Sequence, residues 1–315
     1  MCGDAGKGGT EKSMTGKIMK CVAGFYYVRD EEGHVWQCRA RGIFRRDCIR
    51  PLAGDNCRFE LTHAQDVEGN VTEILPRKNV LFRPETANVD QAALVFACRN
   101  PDISRLLVDR MLVTQEFLGV PCFLVFTKSD LMSEDEQREL ADPYRRAGYE
   151  TFFLHAGSSF GPENNPEDNP EIARLRERLE GRVTALAGPS GVGKSTLVNV
   201  LVPGAQSETG EISRKIRRGR QTTRTTEMFC LNAKTWVFDT PGFSALEFRQ
   251  IEKEELEQYF PEFSPYLGKC RFAGCSHIAE KECAVKDAVR DGAIAESRYQ
   301  SYVSFYRELA AVRRY

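Results

Sequence analysis

The chain has 315 residues, 41% of them hydrophobic and 28% charged. That length implies more than one domain, and the composition excludes a disordered or fibrous polymer. With 44 Lys and Arg against 45 Asp and Glu, the net charge of -1 excludes a protein that grips nucleic acid with its entire surface.

Residues 1–13 are rich in Gly, Lys and Thr without apolar period and are expected to be a disordered leader. Five strand-like runs follow, at 17–21, 25–29, 35–39, 57–61 and 71–75. Turn signals at Glu32-Gly33, Ala53-Gly54-Asp55 and Glu68-Gly69-Asn70 separate them. This pattern predicts a small β-barrel of the oligonucleotide-binding (OB) type over 14–75. Arg39, Arg41, Arg45, Arg46 and Arg50 lie close in sequence. Phe25, Tyr26, Tyr27, Trp36 and Phe44 either stack on bases or fill the barrel core.

Residues 76–84 read as a linker. Strands then alternate with helices: 92–98, helix 103–117, 122–126, helix 133–147, 151–154, helix 170–179 and 183–187. Such alternation predicts a parallel sheet covered on both faces, with 157–169 as a mobile surface loop. The longest apolar runs, 92–98 and 121–126, are too short to cross a bilayer.

After the strand at 183–187 comes Gly188-Pro189-Ser190-Gly191-Val192-Gly193-Lys194-Ser195. It fits GxxxxGK[ST], a loop whose backbone N–H groups wrap the phosphates of a nucleotide. Its glycines allow tight turns, Lys194 reaches the β and γ phosphates, and the Ser195 hydroxyl suits Mg²⁺. Thr196 continues into the helix whose N-terminus faces the anion. A nucleoside triphosphate is therefore expected.

Thr127-Lys128-Ser129-Asp130 follows the strand at 122–126 and is similar to the [NT]KxD guanine motif of GTPases. The Asp130 carboxylate pairs with two donors that adenine lacks, and the stem of Lys128 lies along the base. Asp239-Thr240-Pro241-Gly242 is similar to DxxG, with Asp239 at Mg²⁺ and the Gly242 amide at the γ-phosphate. Between them, Gln221-Thr222-Thr223 ends a stretch holding Arg214, Lys215, Arg217, Arg218, Arg220 and Arg224. That stretch is either a solvated basic loop or a self-repelling segment ordered by RNA phosphates and by Thr223 at Mg²⁺. Arg217, Arg218 and Arg220 are its RNA-binding candidates.

The base motif precedes the phosphate loop, the reverse of the familiar order, which amounts to a circular permutation. Together with GPSGVGKSTLVN at 188–199 and DTPGF at 239–243, this resembles the circularly permuted GTPases of the RsgA/YjeQ family. The resemblance implies an OB barrel (14–75), a permuted α/β P-loop GTPase domain (76–248) and a helical zinc-binding domain (249–315). It further implies a cytoplasmic, monomeric enzyme that hydrolyses GTP when docked on the small ribosomal subunit and its rRNA, assisting late maturation. Lys194 and Thr223 are implied catalytic groups, and orienting the attacking water falls to Gln221, to another group or to one supplied by the partner. Gln221 stands where the family usually has His, and Phe243 cannot replace the glutamine many GTPases use. His155-Ala156 matches the family's base-exclusion motif only weakly. The competing readings are a non-hydrolysing, GTP-regulated RNA-binding module and a P-loop ATPase or kinase.

Cys270-x4-Cys275-x-His277-x5-Cys283 offers three thiolates and an imidazole. Residues alone allow a closed structural Zn²⁺ site or reduced thiols in a small core. The same resemblance implies zinc. Eleven cysteines without an N-terminal apolar run suit a reducing compartment. Tyr299, Tyr302, Val303, Tyr306 and Leu309 recur at helical spacing and predict a C-terminal helix packed on its own domain, with Arg307, Arg313 and Arg314 near RNA phosphates.

Overall fold

Strands β1 (Met14–Val22), β2 (Phe25–Asp30), β3 (Val35–Ala40), β4 (Asn56–His63) and β5 (Glu68–Ile74) close into a barrel ordered β1-β2-β3-β5-β4. β3 and β5 run parallel, and the other pairs are antiparallel. The computed structural model describes residues 13–40, 49–63, 67–82, 85–155, 170–202, 227–239 and 248–311. The inward positions Ile18, Val28, Cys38, Cys57, Phe59 and Val71 are fully buried and form the barrel core. Asp30 fixes the β2–β3 turn by accepting from the Trp36 indole and the His34 amide, each at 2.8 Å. Trp36 also packs on Phe59. This edge of the indole therefore serves the fold, while Arg39 lies 4.6 Å over the Phe25 ring.

The stretch read as a linker is built into the structure. Arg77 clamps the fully buried Asp55 carboxylate at 2.7 and 2.8 Å, and β6 (Val80–Phe82) pairs with β7 (Glu85–Ala87). At Gly54, a Cβ would lie 2.1 Å from the Ala87 carbonyl oxygen and 2.8 Å from the Phe238 ring. Only glycine permits this seating of the barrel on the central sheet.

That sheet contains β8 (Gln91–Ala97), β9 (Cys122–Thr127), β10 (Thr151–Leu154), β11 (Val183–Ala187), β12 (Glu227–Asn232) and β13 (Thr235–Asp239), ordered β10-β9-β8-β11-β13-β12. All neighbours are parallel except the β12–β13 pair. β8 is buried along its entire length, as expected of a central strand covered on both faces. Ala92, Leu94 and Phe96 pack with α1 (Arg105–Leu118) and α2 (Glu134–Arg146). Ala93, Val95 and Ala97 pack with α3 (Pro170–Leu179) and α4 (Lys194–Leu201). Alternation along one strand thus builds two apolar layers. Helix α2 begins with a capping box between Ser133 and Glu136, which satisfies two amides of its first turn.

The C-terminal unit has short 3-10 turns, then α5 (Ala284–Arg290) and α6 (Glu296–Ala311). The predicted helix is present. Tyr302 and Leu309 are buried, alongside Phe305, in a core shared with Val113 of α1. Arg298, 1% exposed, bridges Asp109 of α1 at 2.7 Å and Glu262 at 2.7 Å. Arg110 forms a two-point pair with Glu308 and lies over Phe248 and Phe305. Paired charges and rings therefore hold the helical unit to the sheet domain. The chain combines an OB-like barrel, an α/β sheet domain and a helical C-terminal region. Residues 1–12 of the leader, the 157–169 loop and the basic stretch lie outside the described residues.

Candidate functional site

The strands that lead into three predicted motifs end at one edge of the sheet. β9 ends at Thr127, β11 runs into the phosphate loop, and β13 ends at Asp239, all at the carboxyl ends of parallel strands. In open α/β sheets this edge is where ligands bind. The register pairs Leu186 with Asp239, which puts the DxxG strand directly beside the phosphate-loop strand. β8 lies between β11 and β9.

The base motif is tied to the phosphate loop across that gap. The Thr127 hydroxyl donates to the Val192 carbonyl at 2.5 Å. The Lys128 ammonium donates to the Gly191 carbonyl at 3.2 Å and to the Asn100 carbonyl in the loop after β8. Ser129 is fully buried, with its hydroxyl 3.5 Å from His155 Nδ1 and its carbonyl accepting from Gln137 at 2.9 Å. Asp130 is exposed in the 3-10 turn Ser129–Leu131. His155 thus reaches the motif, and Ala156 lies outside the described residues.

The phosphate loop needs its glycines for two reasons. A Cβ on Gly188 would sit 2.0 Å from the Val95 carbonyl oxygen, so no side chain fits between the loop and β8. Gly191 and Gly193 have φ of 79° and 96°, a region that favours glycine. Pro189 is half-buried, Ser190 exposed and Val192 buried. The Lys194 ammonium donates to the carbonyls of Gly188 and Pro189 at 2.8 and 2.7 Å, which keeps its cation inside the loop. Ser195 and Thr196 are exposed on the first turn of α4. A looped backbone, a held cation and a helix N-terminus together form an anion cradle. Gln221, Thr223, Gly242, Arg217, Arg218 and Arg220 lie outside the described residues, as do Arg41, Phe44, Arg45, Arg46, Arg313 and Arg314.

The four predicted metal ligands converge, with their ligand atoms within 4.8 Å of one another. Cys270 Sγ lies 3.8 Å from Cys283 Sγ and 3.5 Å from His277 Nδ1, and that nitrogen is 3.2 Å from Cys283 Sγ. Two thiolates at 2.3 Å from a tetrahedral Zn²⁺ stand about 3.8 Å apart. The donor set and its spacing therefore fit zinc. Burial pushes the Cys275 thiol up to about 12 and moves Cys283 the same way. Helix α6 supports the site: Tyr299 donates to the His277 carbonyl at 2.7 Å and Tyr302 to that of Ser276 at 2.9 Å. Sequence reasoning missed Glu257, whose carboxylate lies 2.6 Å from His277 Nε2. It is one glutamate among many, 20 residues upstream, and no spacing rule marks it.

Among the described residues no helix is long and apolar enough to cross a membrane. The sequence profile of the RsgA N-terminal domain matches residues 15–69, and that of the RsgA GTPase matches residues 74–249. A protein of Agathobacter rectalis named small ribosomal subunit biogenesis GTPase RsgA is 42% identical over 312 residues, covering 96% of this chain and 100% of its own. One of the same name from Geobacillus kaustophilus is 46% identical over 297 residues, covering 93% and 97%. The crystal structure of YjeQ from Thermotoga maritima superposes with a TM-score of 0.77 at 35% identity, covering 96% of this chain and 100% of that one. YloQ, described as a circularly permuted GTPase, superposes with a TM-score of 0.75 at 36% identity, covering 99% and 100%. With its [NT]KxD-like motif ahead of its GxxxxGK[ST] loop and both on one sheet edge, this chain belongs to the RsgA family of circularly permuted GTP hydrolases.

Proposed function

We propose that the chain hydrolyses GTP in the service of small ribosomal subunit maturation in the cytoplasm, and that docking on the subunit and its rRNA accelerates the reaction. The tie between Thr127 and Val192 supports this reading, because it joins the proposed base-selecting motif to the proposed phosphate loop. In this reading Thr127, Lys128, Ser129 and Asp130 select guanine. Gly188, Pro189, Ser190, Gly191, Val192, Gly193, Lys194, Ser195 and Thr196 wrap the phosphates.

Lys194 stabilises charge spread over the γ-phosphoryl oxygens in a loose transition state. The Gly242 amide meets the same group, and Gln221 orients the attacking water. Ser195, Thr223 and Asp239 supply hydroxyl and carboxylate oxygens of the kind Mg²⁺ prefers, and the ion would neutralise the β and γ phosphates. Cys270, Cys275, His277 and Cys283 would hold one structural Zn²⁺. Four protein ligands leave no open position, so its contribution is to folding.

Arg217, Arg218 and Arg220 meet rRNA phosphates, and Thr223, in the same basic stretch, meets Mg²⁺. Binding of either partner then favours binding of the other. Reciprocal coupling then requires tighter subunit binding with a non-hydrolysable GTP analogue than with GDP. Sedimentation with small subunits in each nucleotide checks this, and equal binding in both contradicts it. Neutralising the three arginines should weaken the complex and flatten its salt dependence.

A further inference from the structure

We propose that Glu257 is the positioning residue of the metal site: it fixes His277 in the tautomer and orientation that binds the ion. The proposal rests on the zinc reading above. A neutral imidazole has one donor and one acceptor nitrogen. His277 turns Nδ1 towards Cys270 and Cys283 at 3.5 and 3.2 Å, and Nε2 towards Glu257 Oε2 at 2.6 Å. A carboxylate accepts and never donates, so it holds the proton on Nε2 and leaves the Nδ1 lone pair facing the thiols. Outer carboxylates of this kind orient ligating histidines and raise their basicity.

The surroundings leave the ring little freedom. His277 is 2% exposed, and its backbone has φ of 59°, a left-handed conformation uncommon for a non-glycine residue. Phe263 and Tyr302 lie at 6.2 Å on the ring, and neither offers it a hydrogen-bond acceptor of carboxylate strength. Glu257 comes from outside the 270–283 loop, on the 3-10 turn Leu256–Tyr259. Leu256 is fully buried, and Tyr259 packs edge-on against Phe117 of α1 at 5.6 Å. The positioning carboxylate is therefore anchored to the sheet domain, and the metal loop is held from that side.

The same contact could be a histidinium–glutamate ion pair with no bearing on a metal, and substitution separates the two. Glu257→Gln keeps an oxygen that accepts from Nε2–H but removes the charge, whereas Glu257→Ala removes the acceptor. The full chain is loaded with zinc and titrated with a chromophoric chelator. We expect Glu257→Ala to bind zinc about 10- to 100-fold more weakly, and Glu257→Gln, which keeps the acceptor oxygen, to lose clearly less. Cobalt substitution gives a second readout. The parent should show the visible bands of a tetrahedral three-sulfur, one-nitrogen site, Glu257→Gln should keep them, and Glu257→Ala should shift or weaken them.

Folded Glu257→Ala protein, checked by circular dichroism, with unchanged zinc affinity and cobalt spectrum would overturn the proposal. Loss in Glu257→Gln equal to that in Glu257→Ala would also overturn it, because the charge and not the acceptor oxygen would then set the affinity. A parent chain that binds neither ion would overturn the zinc reading along with it.

Discussion

The hydroxyl of Thr127 donates to the carbonyl of Val192 at 2.5 Å, joining two motifs 65 residues apart. Both partners are buried, so the bond replaces water that neither group can reach. Thr127→Val keeps the shape and leaves the carbonyl unpaired. An unsatisfied buried acceptor costs about 1–3 kcal/mol. Binding of fluorescent GDP should weaken by about 5- to 150-fold if that cost falls on the nucleotide-bound state. Unchanged affinity would mean that the loop holds its shape without the base motif.

Asp130 is expected to choose the base. Asp130→Asn should lose GTP affinity and gain affinity for xanthosine nucleotides, whose O2 accepts from an amide. Competition between GTP and XTP for the variant reads this out, and retained GTP preference would remove Asp130 from the base site.

Arg298 should be the strongest single stabiliser of the contact between the helical unit and the sheet domain. It is 1% exposed, with Asp109 and Glu262 also buried beside it. Nearby carboxylates hold its guanidinium charged against the opposing effect of burial, and burial raises the Asp109 carboxyl despite Arg298. Arg298→Ala would leave two buried carboxylates uncompensated, at a cost of about 3–5 kcal/mol. Denaturant unfolding should show that loss, and a change below about 1 kcal/mol would contradict the assignment.

Barrel stability should depend on acid through Asp30. Burial alone would raise this carboxyl, but hydrogen bonds from Trp36, His34 and Gly33 outweigh it and lower the value. A lowered carboxyl contributes stability above its ordinary range near pH 4, and that contribution is lost as pH falls through the lowered value. Trp36 fluorescence, followed in a Trp236→Phe background, should report barrel destabilisation below about pH 4. Asp30→Asn should be less stable at neutral pH and less sensitive to acid. Equal acid sensitivity in both chains would show that another group governs it.

How legible each feature was followed from how locally its signal is written. β8 and β11 are central parallel strands, so burial on both faces left continuous apolar runs at 92–98 and 183–187. The phosphate loop declared itself because its glycines meet a backbone constraint that no other residue can satisfy, shown by Val95 against Gly188. β12 escaped notice because it is a six-residue antiparallel edge strand directly after the basic stretch. The β6–β7 hairpin was hidden because its strands are three residues each, close to Pro76 and Pro84. Arg298 and Glu257 were invisible for a different reason. Charged residues read as solvent-facing, and what turns these two inward is partners 189, 36 and 20 positions away.

The most direct test of the central claim is phosphate release from GTP and from ATP, each with and without purified small ribosomal subunits. The account predicts slow release from GTP alone, a clear acceleration by the subunits, and negligible release from ATP in both conditions. Comparable cleavage of ATP, or a GTP rate that the subunits leave unchanged, would contradict it.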